Sequence, residues 1–131
     1  MTVSRTFWSR MFLIKGIYNV VVSLTLLIWA KQLLPLLGMP VGNPAYAQMF
    51  FLLCLAFGIG YFTVGLDVDS NTGIVVMGII GQVSVFCVTF WQWLAGVVYG
   101  PALPSGFIDL TFAIGFAAFL WTCSYAASSA R

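Results

Sequence analysis

Histidine and glutamate are missing altogether from this 131-residue chain, and Asp67, Asp69 and Asp109 are its only acids. Histidine-ligated haem and metal sites, Ser-His-Asp or Cys-His catalysis and paired-glutamate hydrolysis therefore have no residues to work with. Charge of either sign is scarce, at 6% of residues against about 25% in a soluble domain. The five bases and three acids cannot clothe a water-facing surface, and the net charge of +2 is too small and too scattered for the clustered basic face that nucleic acid requires. Nucleic acid is not an expected partner. The three cysteines, Cys54, Cys87 and Cys123, form no C-x-x-C pair, which excludes a redox couple or zinc knuckle and leaves them as buried small apolar residues. No metal and no cofactor is expected.

Apolar sequence is what the chain has in abundance: 62% of its residues are hydrophobic and its mean hydropathy is +1.06. A helix needs about 20 apolar residues to cross the hydrocarbon core. Four runs of that length occur, about 11–30, 45–66, 73–94 and 106–125. Arg5 and Arg10 precede the first run as they would precede a signal peptide, but no small-x-small site interrupts it, so it is read as a retained first span. The segment 33–44 holds Pro35, Gly38, Pro40, Gly42 and Pro44, which stops a continuous helix and suggests a short interfacial stretch. The polar Asp67–Thr72 connection forces its flanking helices to be neighbours. The expected fold is all-α: one domain, an antiparallel four-helix transmembrane bundle with short loops.

Bases near the helix ends set the orientation. With the N-terminus inside, Arg5, Arg10, Lys15 and Arg131 are cytoplasmic and Lys31 alone is outside, which places both termini in the cytoplasm. Interfacial aromatics fit four crossings, with Trp8, Tyr61, Trp121 and Tyr125 at one boundary and Trp29, Tyr46, Trp91, Trp93 and Tyr99 at the other.

Polar residues within spans are costly to leave unpaired in lipid and so carry information. Lys15, Asn19 and Ser23 share a face of the first helix, while Gly78, Gln82, Val85, Thr89 and Gln92 form a stripe along the third. Asn19 and Gln82 lie at matching depth, roughly 12–13 Å from the same end of their spans at 1.5 Å per residue. Lys15, Asn19 and Gln82, with Tyr18 and Tyr61 as hydroxyl donors, are therefore the candidate polar cluster for the head of an amphipathic ligand. The bland alternative is that Asn19 and Gln82 only fix helix packing, worth about 0.6 kcal/mol each, while Lys15 snorkels to the interface. Asp67 and Asp69 look like turn and helix-capping chemistry on the side of Lys15. Asp109, in the first turns of the fourth helix with Lys31 at the same boundary, is the candidate residue of an ion or proton path. Small residues mark close helix contacts at Ala56 and Gly60, at Gly78 and Gly81, and at Ala113 and Ala117.

The segments Lys15-Gly16-Ile17-Tyr18-Asn19, Leu36-Leu37-Gly38-Met39-Pro40 and Gly58-Ile59-Gly60-Tyr61, followed by Asp67, resemble the small four-helix DoxX-like bacterial membrane proteins over about residues 10–85. That resemblance implies a four-helix bundle in a bacterial inner membrane with cytoplasmic termini, associated with redox enzymes or the assembly of membrane complexes, and it transfers no catalytic residue. Small multidrug resistance proteins are similar in size, but their first-helix glutamate has no counterpart here. The expected function is a non-catalytic accessory or assembly subunit, packing against a larger membrane complex or its lipid and quinone-like ligands. Its partners would be membrane lipids and other membrane protein subunits or further copies of itself. A small homo-oligomeric carrier or channel, with Asp109, Gln82 and Asn19 lining the path, is the alternative.

Overall fold

The structure, a computed structural model, describes the backbone of residues 4–129 and the side chains of residues 4–123. The described residues form four long helices and no strand: α1 (Arg5–Leu36), α2 (Pro44–Leu66), α3 (Thr72–Leu94) and α4 (Leu103–Ser129), the last entered through a 3-10 turn at Gly100–Ala102. All four are long and apolar enough to cross a membrane, and the chain is an integral membrane protein built as a helical bundle.

Local chemistry sets the helix ends. Ser4 caps α1 by accepting a hydrogen bond from the Phe7 N–H at 3.3 Å, and Asn43 caps α2 by accepting from Ala45, with Pro44 in the first turn where its missing N–H costs nothing. α1 and α3 both close on a glycine with positive φ, Gly38 at +73° and Gly96 at +72°. In each the next residue reaches back into the last turn, Met39 N–H to Leu34 O and Val97 N–H to Gln92 O, both at 2.9 Å. This Schellman closure satisfies carbonyls that would otherwise lie bare at the membrane boundary.

α1 departs from the sequence expectation at both ends. It begins at Arg5 and continues through Pro35 to Leu36, so residues 33–36 of the expected interfacial segment are helical. Proline is tolerated there because it lies in the final turn, and the helix bends instead at Trp29, whose φ/ψ of −117° and 24° leave the helical range. The N-terminal extension also sinks Lys15 three turns into the bundle, roughly 15 Å from Arg5 at 1.5 Å per residue.

Two close pairs make up the bundle. α1 meets α2 backbone to backbone: a Cβ on Gly16 would lie 2.9 Å from the Phe62 nitrogen, and one on Gly65 would lie 3.0 Å from that of Leu13. Gly58 does the same against Asn19 and Val20, and Ser9 donates to the Gly65 carbonyl at 2.6 Å. α3 and α4 pack through Gly106 against Phe86 and Thr89. At the end of the bundle near Arg5, one core draws on every helix: Trp8, Phe12, Tyr61, Val64, Val68, Val75, Phe116 and Phe119. Toward the opposite end α1 and α2 keep a cluster of their own around Leu26, Leu34 and Phe51, while Phe86 of α3 meets Phe107 of α4 and stacks on Phe90 of its own helix. There the pairs touch through the loops, where Tyr99 donates its N–H to Gly38 O at 2.8 Å.

Several sequence readings change on this fold. Trp8 and Tyr61 belong to the core rather than to an interfacial belt, because large rings fill the wide gap between α1–α2 and α3–α4. Cys87 and Cys123 are exposed on outward faces, and Cys54 is half-buried. Ala56 and Ala117 also point outward. The other small residues face helices of this chain: Gly78 under the Tyr61 ring, Gly60 against Ile74, Gly81 near Phe57, and Ala113 in the core.

Candidate functional site

Lys15, Asn19, Gln82 and Asp109 lie where the shared core ends, and each has its own hydrogen-bond partner. Lys15 of α1 is fully buried, and its ammonium donates to Asp109 Oδ1 of α4 at 2.5 Å. The rings of Tyr18 and Phe112 flank the ammonium at 4.9 and 5.1 Å from their centroids, adding cation–π attraction in a desolvated setting. A lysine inside a membrane is expensive, and a carboxylate at contact distance is the least costly way to hold one.

Asp109 was expected to sit near Lys31 at the far boundary. Instead it lies two turns into α4 and faces the bundle, because α4 starts at Leu103, earlier than the apolar run suggested. Lys31 is exposed, and at the other end Arg5, not Lys15, forms the exposed ion pair with Asp69. Asp67 works locally, accepting from the Asp69 N–H and the Ser70 hydroxyl, the turn chemistry read from the sequence. Asn71, in a left-handed conformation at φ 66°, then turns the chain into α3.

The proposed cluster of Lys15, Asn19 and Gln82 separates into three contacts. Asn19 donates to the Cys54 carbonyl on α2 at 3.5 Å, while Gln82 donates from Nε2 to the Tyr61 hydroxyl, also on α2, at 3.3 Å. Cys54 and Tyr61 are two helical turns apart, so Asn19 and Gln82 do not converge on one ligand atom. Tyr61 in turn lies on Gly78, where a Cβ would come 2.8 Å from its hydroxyl oxygen. Tyr18 belongs with Lys15 rather than with Gln82. Gln82 is 4% exposed, and its carbonyl Oε1 is the one buried side-chain polar atom among the described residues without a hydrogen-bond partner.

Sequence reasoning missed Gly16, Gly58 and Gly65, the residues that bring α1 and α2 into contact. Their signal was present in the seven-residue spacing of Gly58 and Gly65, which puts both on one face two turns apart. No group of three or more metal-ligating side chains forms among the described residues. In comparison with known proteins, the chain matches no family model, no curated protein and no solved structure.

Proposed function

We propose that the chain is a non-catalytic accessory or assembly subunit, packing laterally against another membrane protein and the lipids around it. The observation that carries this reading is the outward placement of small residues on otherwise apolar helices: Ala56 on α2, Ser84 and Cys87 on α3, and Ala117 and Ala118 on α4. Small side chains let a neighbouring helix approach closely, whereas a lipid-facing surface gains nothing from them. The charges within the spans favour the same reading, since Lys15 and Asp109 neutralise each other inside the chain. So does the absence of histidine and glutamate, and so does the DoxX-like resemblance. A bacterial inner membrane with cytoplasmic termini is part of the proposal. Lys15 no longer counts toward that orientation, but Arg5, Arg10 and Arg131 still oppose Lys31.

Native mass spectrometry of the protein, extracted from its own membranes in a mild detergent or polymer, tests the proposal. A heteromeric mass of fixed stoichiometry supports it, and a monomer or clean homo-oligomer contradicts it. One observation favours the carrier or channel reading, namely that a charged pair and an unpartnered amide oxygen share the middle of the bundle. That reading requires a homo-oligomer whose flux in proteoliposomes is lost in Asp109→Asn while the fold is retained.

A further inference from the structure

On the stripe of α1 that passes through Lys15, burial declines stepwise toward Trp29. Trp8 and Lys15 are buried, Tyr18, Val22 and Thr25 are half-buried, and Trp29 is 50% exposed. The seam between α1 and α4 therefore opens to the side beyond the ion pair, where the two helix pairs keep separate apolar clusters. Asp109 shows the consequence: it faces the bundle, yet its side chain is 21% exposed while that of Lys15 is 0% exposed. Beside it, α4 carries an apolar groove of about 350 Å³ lined by Pro104, Phe107, Ile108, Thr111 and Phe112. Phe112 is shared, forming one wall of the groove and one of the rings over Lys15.

We propose that this seam is a lateral binding site for a membrane-dissolved lipid alcohol such as a diacylglycerol, with an acyl chain in the α4 groove and the hydroxyl donating to Asp109. The chemistry selects this occupant. The Lys15–Asp109 pair is neutral as a unit, so a charged headgroup would be buried without a counter-ion. The group left open, the Asp109 carboxylate, only accepts hydrogen bonds, so the headgroup must donate. An ammonium donor would be repelled by Lys15, which leaves a hydroxyl. The site adds a ligand to the protein and does not depend on the accessory role.

The test uses the full chain in phosphatidylcholine nanodiscs containing a diacylglycerol with a photoactivatable acyl chain, with adducts mapped by peptide mass spectrometry. Labelling is expected to concentrate on residues 18–25 and 104–112, and to be displaced by unlabelled diacylglycerol but not by its O-methyl ether, which keeps the shape and lacks the donor. Lys15→Met combined with Asp109→Leu removes the acceptor without stranding a charge, and labelling should fall roughly tenfold, the value of one hydrogen bond to a charged group. Gln82→Leu, which leaves Asp109 and the ion pair intact, should leave labelling unchanged. Adducts spread evenly over the outward faces, equal displacement by the ether, or undiminished labelling in the double variant would overturn the proposal.

Discussion

Replacing Asp109 by leucine leaves the Lys15 ammonium in the middle of the bundle with no counter-ion and no route to water, because its side chain has no exposed surface. Breaking one partner of a buried pair costs about 3–5 kcal/mol, and a charged residue at the centre of a spanning helix costs about 2.5–3.5 kcal/mol on insertion scales. We take about 3 kcal/mol as the expected loss, roughly a hundredfold in the folding equilibrium. Lys15→Met alone strands the carboxylate and should cost somewhat less, since Asp109 keeps a fifth of its surface exposed. The double variant Lys15→Met with Asp109→Leu removes both charges, fills the space with apolar atoms and should return to within about 1 kcal/mol of the parent. Unfolding in mixed micelles of increasing denaturing detergent, followed by tryptophan fluorescence, measures all four corners of the cycle. A coupling of about 4 kcal/mol is expected. Additive single effects, with coupling below about 0.5 kcal/mol, would refute the reasoning that the pair is a desolvated unit.

The same assay checks the helix contacts. Gly58→Ala places a methyl against Asn19 and Val20 atoms at 2.9–3.0 Å and should cost about 1–3 kcal/mol, whereas Gly73→Ala meets nothing within 4 Å and should stabilise by up to about 1 kcal/mol. Gln82→Leu removes one cross-helix hydrogen bond together with an unpartnered oxygen, so its stability should stay within about 1 kcal/mol of the parent. Asp69→Asn breaks an exposed pair with Arg5 and should change stability by no more than about 0.5 kcal/mol, an effect that added salt abolishes. Cysteines placed at Ser4 and Lys31 should react oppositely with a membrane-impermeant maleimide in intact bacterial cells, the Lys31 position labelling and the Ser4 position protected.

Helix number and class were legible in the sequence because a membrane imposes a length of apolar chain that nothing else in the sequence mimics. Helix ends were less so: α1 runs past both edges of its apolar stretch, since Ser4 caps it on one side and a proline in the last turn does not stop it on the other. The inward stripe of α3 was readable from spacing, and Gly78 and Gln82 are indeed buried. The partner of Asp109 was not, because the residue that neutralises it is 94 positions away and depends on how far α1 extends toward Arg5. Small-residue pairs were ambiguous for a physical reason. Ala56 and Gly58 lie about 200° apart around one helix at 100° per residue, so spacing identifies a seam without saying which of two faces meets a neighbour within the chain.

The central claim, that an outward face of this bundle seats another membrane protein, is tested most directly by photocrosslinking residues placed one at a time at Ala56, Ser84 and Ala117, with Ile28 as an outward control bearing a large side chain, and activated in native membranes. The account predicts that one of the three small-residue positions yields a single discrete heteromeric adduct while Ile28 yields only lipid. Lipid adducts at all four positions, or adducts only between copies of this chain, would contradict it.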